Sequence, residues 1–185
     1  MEKDASSAGV DRVGGLFSTT EIRILVCYIL NAMPVPVPAD LLVSTLHTEG
    51  IANGFEVSDA LAHLIEKGHL VLVDEKDDSY TVTDSGKRIS DELQSSLSYA
   101  VKNRGYNVTL KMVSRFYRAK DHRFSVSHEK GNTYITCSAM DHELPFLSIK
   151  LLVADEGQAN MIKERFLDLG NDLYSTIIHQ LTNPK

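Results

Sequence analysis

The sequence predicts an α+β protein in two parts: three helices, a β-hairpin and a fourth helix, then a small antiparallel sheet covered by a C-terminal helix. Three observations predict it. Apolar residues recur every three or four positions through residues 22–64. Two short β-prone runs, Leu70–Val73 and Tyr80–Thr83, flank an acidic turn at Asp74–Asp78. Beyond residue 123 a period of two replaces the helical period, and helical spacing returns after Asp155.

Ser18 and Glu21 have capping-box spacing, and Ile22, Leu25, Val26, Ile29, Leu30 and Met33 form the stripe of a first helix. Pro34-Val35-Pro36-Val37-Pro38 stops it, and Pro38 suits the first turn of a second helix with Leu41, Leu42, Thr45 and Leu46 inside. After Gly50 and a turn, Val57, Leu61 and Leu64, with Ala60 and Ile65 beside them, mark the buried face of a third helix, which closes at Lys67-Gly68. The hairpin follows, then a helix from Asp84 to about Gln94 with Ile89 and Leu93 inward. This order of helices and hairpin is that of a winged helix-turn-helix. From residue 97 to 122 a period of two (Val108, Leu110, Met112) and a helical period (Val108, Met112, Phe116) both fit, and the stretch stays open.

Phe124 and Val126 then alternate with serines, Ile135, Cys137 and Ala139 with Thr136 and Ser138, and Leu147, Ile149, Leu151 and Val153 share one strand face. Tyr134, Phe146 and Leu152 alternate away from that face, which suggests contact with the other domain or, as preferred here, another subunit. Ala159, Ile162, Phe166 and Leu169, then Leu173, Ile177 and Leu181 after an interruption at Gly170-Asn171-Asp172, give the terminal helix its stripe. The expected domains are a winged helix-turn-helix at 16–95 and an α/β domain, with dimerisation as its role, at 96–185. Residues 1–15 are expected to be a flexible tail, being small and polar with Gly14-Gly15.

The 185 residues carry a net charge of −6, unevenly distributed. Residues 16–103 hold 13 acids and 6 bases, and residues 104–185 hold 9 acids and 11 bases. The change of sign supports two modules. No run of about 18 apolar residues exists, so no membrane span is expected, and nothing at the N-terminus reads as a secretory signal. Cys27 and Cys137 lie in apolar contexts on distant segments and read as buried free thiols of a cytoplasmic protein.

Several short motifs in order carry a family resemblance. They are Leu25-Val26-Cys27-Tyr28-Ile29-Leu30, Gly54-Phe55 before Leu61-Ala62-His63-Leu64, and Tyr80 to Lys87. Tyr134-Ile135, Pro145-Phe146, Gln158-Ala159 and Leu173-Tyr174 continue the series. Over roughly residues 16–182 the chain resembles an uncharacterised bacterial family. That family joins an N-terminal winged helix, distantly similar to those of PadR- and MarR-type regulators, to a small α/β C-terminal domain. The resemblance implies a DNA-binding transcriptional regulator, pairing as a homodimer to span two half-sites on double-stranded DNA.

In that reading the third helix enters the major groove, and Ser58, Ala62, His63 and Lys67 on it, with Lys76 in the hairpin turn, are the candidate DNA contacts. The charge opposes this. Glu56, Asp59 and Glu66 share the outward face, and Asp74, Glu75, Asp77 and Asp78 surround Lys76, whereas DNA affinity comes from bases that displace counterions. Residues 102–123 contain Lys102, Arg104, Lys111, Arg115, Arg118, Lys120 and Arg123 against one acid, Asp121, with aromatics interleaved. Lys111, Arg115, Arg118, Lys120 and Arg123 are therefore further candidate phosphate contacts. That stretch reads equally as a docking surface for an acidic partner or as an ordinary solvated face. The alternative function is a protein-interaction or dimerisation module whose acidic winged helix no longer binds DNA.

No enzyme, cofactor or metal is expected. The seven histidines form no HxxxH or HExxH pair, and no GxGxxG or GxxxxGK[ST] loop is present. A nucleophilic cysteine needs an exposed, electropositive setting that neither thiol has.

Overall fold

The computed structural model describes residues 18–169 and 171–183. The tail expected at 1–15 and Gly170 lie outside them. The described residues form seven α-helices and two antiparallel three-stranded sheets. The chain divides into two compact units, one up to Val113 and one from Ser114 onward. The domains expected from the sequence meet at 95/96; this division falls inside the helix Tyr99–Lys120.

The first unit begins with α1 (Thr19–Ala32), which buries Ile22, Leu25, Val26, Cys27 and Ile29 completely. Ser18 stands at the N-cap position without a side-chain hydrogen bond, so the expected capping box does not form. Val37–Pro38 is a short strand, β1, and Pro38 doubles as the N-cap of α2 (Ala39–Thr48). Proline lacks a ladder donor and suits such an edge strand. Leu42, Thr45 and Leu46 of α2 are buried. Gly50 turns the chain at φ +64°, and α3 (Gly54–Glu66) starts at Asn53, whose side chain accepts from the Phe55 amide at 2.9 Å. Val57, Ala60, Leu61 and Leu64 face the core as expected, whereas Ile65, expected beside them, is 37% exposed because it lies off the stripe that they form.

Strands β2 (Leu70–Asp74) and β3 (Ser79–Val82) make the hairpin, and the sheet order is β1-β3-β2. α4 (Asp84–Leu93) buries Gly86 and Ser90. The expected inward pair is corrected: Ile89 is half-buried and Leu93 is 44% exposed. The open stretch resolves as α5 (Tyr99–Lys120), whose buried residues are Gly105, Thr109 and Val113. At Gly105 an added Cβ would lie 3.1 Å from Ile29 Cδ1, so the Ile29 side chain of α1 packs directly on this glycine.

The second unit is a meander of β4 (His122–Glu129), β5 (Asn132–Asp141) and β6 (Leu144–Val153) in the order β4-β5-β6. Lys130 and Gly131 both have positive φ, +51° and +80°, the backbone that a two-residue hairpin turn with the native strand twist demands. Cys137 stands opposite Phe124 and Ile149, and Ile135 opposite Val126 and Leu151. α6 (Glu156–Leu169) covers this face, with Phe166 edge-on to the rings of His122 (5.4 Å) and Phe124 (6.0 Å). Ile135, Cys137, Ala139, Val153, Ala159 and Phe166 are the core, and Leu173 of α7 (Asn171–Thr182) packs on it. The cover is incomplete: Val126 and Leu151 keep 46% and 39% exposure although they share the inner face. Phe146 also departs from simple alternation. The register shifts opposite it, and its ring meets Tyr174 of α7 at 5.3 Å.

Candidate interaction surface

The outward side of α3 holds the first group of expected DNA contacts. Ser58, Ala62 and Lys67 are exposed and His63 is half-buried. The Ser58 hydroxyl donates to the Gly54 carbonyl at 3.0 Å, so its donor is used within the helix. Asp59 pairs with Arg23 of α1 at 3.6 Å, which offsets one acid of that face; Glu66 is exposed and Glu56 is half-buried.

The hairpin is fastened at its base. Thr83 Oγ1 donates toward the carbonyls of Gly68 (2.8 Å) and His69 (3.2 Å), and Ser85 Oγ lies 2.9 Å from both Thr83 Oγ1 and His69 Nδ1. At its tip the Lys76 amide donates to Asp74, and the Tyr80 hydroxyl to Asp78, each at 2.9 Å. That bond, then partial burial, raises the Tyr80 pKa. Asp78 adopts φ +49°. β2 is an outer strand of its sheet, and Val71, Leu72 and Val73 on it are 46%, 40% and 54% exposed. The surface next to the acidic turn is therefore apolar. Sequence reading missed this, because Leu70–Val73 looked like any half-buried strand.

The basic stretch divides between the units. In the first, Lys102 lies over the Tyr28 ring, and Arg104 contacts the carbonyl and carboxylate of Glu49. Lys111 is exposed. In the second, Arg115 pairs with Glu164 and, at 3.7 Å, with Asp168 of α6. Lys120 lies 4.9 Å from the Phe116 ring centre and 5.0 Å from that of Tyr117. Arg123 donates to the carbonyls of Lys120 (2.8 Å) and His122 (3.1 Å). Arg118 lines a cleft of about 530 Å³ with Asp121, His122, Asp141, Phe146 and Asp172, where carboxylates outnumber guanidinium. Most of these cations thus have local partners.

Among the described residues no group of His, Cys, Asp and Glu could hold a metal ion, and no helix is long and apolar enough to cross a membrane. Both cysteines are free and buried; burial pushes the Cys27 thiol up to about 11 and raises that of Cys137.

Residues 22–181 match the family model of a domain of unknown function, DUF4364. No curated protein and no solved structure matches the chain.

Proposed function

The chain belongs to the DUF4364 family, a domain of unknown function, and from that premise we propose that residues 19–93 are a winged helix that engages a protein partner rather than duplex DNA. The strand order β1-β3-β2, with β1 lying between the first two helices and the hairpin following the third, supports the winged-helix assignment. The observation that carries the protein-partner reading is the hairpin surface: Val71, Leu72 and Val73 exposed on an outer strand, running into Asp74, Glu75, Asp77 and Asp78. Phosphates repel such a surface. Apolar and basic side chains of a protein complement it. Pairing of two copies is part of the reading, since it would present two winged helices together.

A second reading, a DNA-binding regulator, is favoured by the α2–α3 arrangement and by the Arg23–Asp59 pair, which reduces the charge on the α3 face. Titrating a labelled random duplex with the full chain across a salt series separates the two. The protein-partner reading expects no binding even at the lowest salt. Binding that weakens steeply with salt establishes the second reading in its place. In the producing cells, a photo-crosslinker at Val71 should give protein adducts that disappear when Asp74 and Glu75 become Lys.

A further inference from the structure

We propose that two copies of this chain pair edge to edge through β6, antiparallel about a two-fold axis near Ile149, and so join their sheets into one of six strands. The inference rests on the pairing of copies in the reading above, and on nothing about what the winged helix contacts.

The two outer strands of the second unit differ. β4 presents Arg123, Ser125, His128 and Glu129, all exposed, and charged or polar side chains of this kind blunt an edge against association. β6 is ten residues long, with Lys150 as its single charge. Its exposed residues include Leu144 (75%), Leu151 (39%) and Leu152 (63%). An outer strand carries a row of backbone donors and acceptors on its open side, and an identical antiparallel strand satisfies them.

The side chains choose both the occupant and the register. Centred on Ile149, a two-fold perpendicular to the sheet sets Leu147 opposite the other copy's Leu151 and Ser148 opposite its Lys150. Centred on Lys150, it would set the two ammonium groups against each other, which is destabilising. The first register also explains Leu151. It lies on the inner face, in line with Ile135, yet remains exposed, and the other copy's Leu147 would cover it. The patch continues beyond the strand. Phe146 meets Tyr174 of α7, and the Tyr174, Ile178 and Leu181 side chains are exposed on that helix. A second copy brings the same apolar strand and helix, as an isologous contact requires.

The test uses the full chain. Light scattering on a sizing column should give twice the 20.5 kDa chain mass, and Leu152→Lys, on the solvent face of the edge, should return it to one chain with unchanged circular dichroism. Ile149→Cys should form an intermolecular disulfide on mild oxidation. Ser125→Cys on β4 should not. The proposal stands only if the mass shift and the selective disulfide both appear. A single-chain mass for the wild type overturns it, as does a dimer that survives Leu152→Lys or fails to cross-link at 149. None of these readouts involves DNA or another protein, so their failure leaves the assignment of the winged helix to be judged by its own titration.

Discussion

Replacing Gly86 by alanine should destabilise the first unit, although helix propensity alone says the reverse. Gly86 lies in the first turns of α4, and Gly→Ala within a helix ordinarily gains about 1 kcal/mol. Here the new Cβ would stand 2.3 Å from the His69 carbonyl oxygen, 3.2 Å from its carbon and 3.3 Å from Val82 Cβ. The obstacle is backbone and cannot rotate away. The same carbonyl accepts from the Thr83 amide at 3.0 Å, and the His69 amide donates to Leu64 at 2.8 Å. Relief requires α4 to move off the junction between α3 and β2. Overpacking costs about 1–3 kcal/mol, and one or two weakened hydrogen bonds add about 1 kcal/mol each. After the propensity gain, the net loss is about 2–3 kcal/mol. With a urea slope of roughly 1–3 kcal/mol/M, the midpoint should fall by about 1 M. Gly54→Ala is the control, since its Cβ meets only ordinary contacts at 3.5 Å or more and should leave the midpoint unchanged or raised. A Gly86→Ala midpoint equal to or above the wild type would refute the account of how the hairpin is anchored.

Asn53→Ala should remove the cap of α3 and cost about 1 kcal/mol in the same urea assay. Cys27 and Cys137 should resist a thiol reagent at pH 8 in the native state and react together in urea. Because the Cys27 pKa rises from 9.0 to about 11 on folding, its contribution is complete below pH 9 and should fade as pH climbs toward 11, visible as a falling urea midpoint that Cys27→Ala flattens. Lys150 donates to Glu129 at 2.6 Å, and that bond, followed by the charge itself, lowers the Glu129 pKa. NMR titration of Lys150→Met should return this carboxyl toward its ordinary range; in the wild type its contribution is present above the unfolded pKa and lost as pH falls through the folded one. Arg115→Ala should cost the second unit about 1 kcal/mol through loss of Glu164 and Asp168.

Much of the first unit was legible because large apolar residues set its periods. Val57, Leu61 and Leu64 declared the inner face of α3 unaided. α4, whose expected inward pair is not the buried one, and α5, whose stretch fits two periods, share a cause. α4 buries Gly86 and Ser90, and α5 buries Gly105, Thr109 and Val113. The inward positions of both helices are held largely by small or polar residues, whose spacing of four carries little hydropathy signal. That is why residues 97–122 fitted two periods and why Leu93 was placed inside. β1 was hidden for another reason: two residues within a proline run take their structure from β3, about forty positions away.

Alternation likewise assigned faces in the second unit without saying how far the cover reaches. It assigns Val126 and Leu151 to the inner face, and both remain exposed although Phe124 and Ile149, on the same outer strands, pack on the core. The charge sum over residues 102–123 has the same blindness to distance. It leaves a phosphate surface, a docking surface and a solvated face all open, and within that stretch Arg104 pairs with Glu49 and Arg115 with Glu164. A local charge sum cannot see a partner some fifty positions away. Such pairing removes cations from the pool that could meet phosphate. Asp74 and Asp78 of the hairpin tip, by contrast, bond within their own turn, and the apolar stretch of β2 is exposed beside them. What α3 and the hairpin can recognise is therefore decided less by their order in the chain than by which charges the rest of the chain has already used.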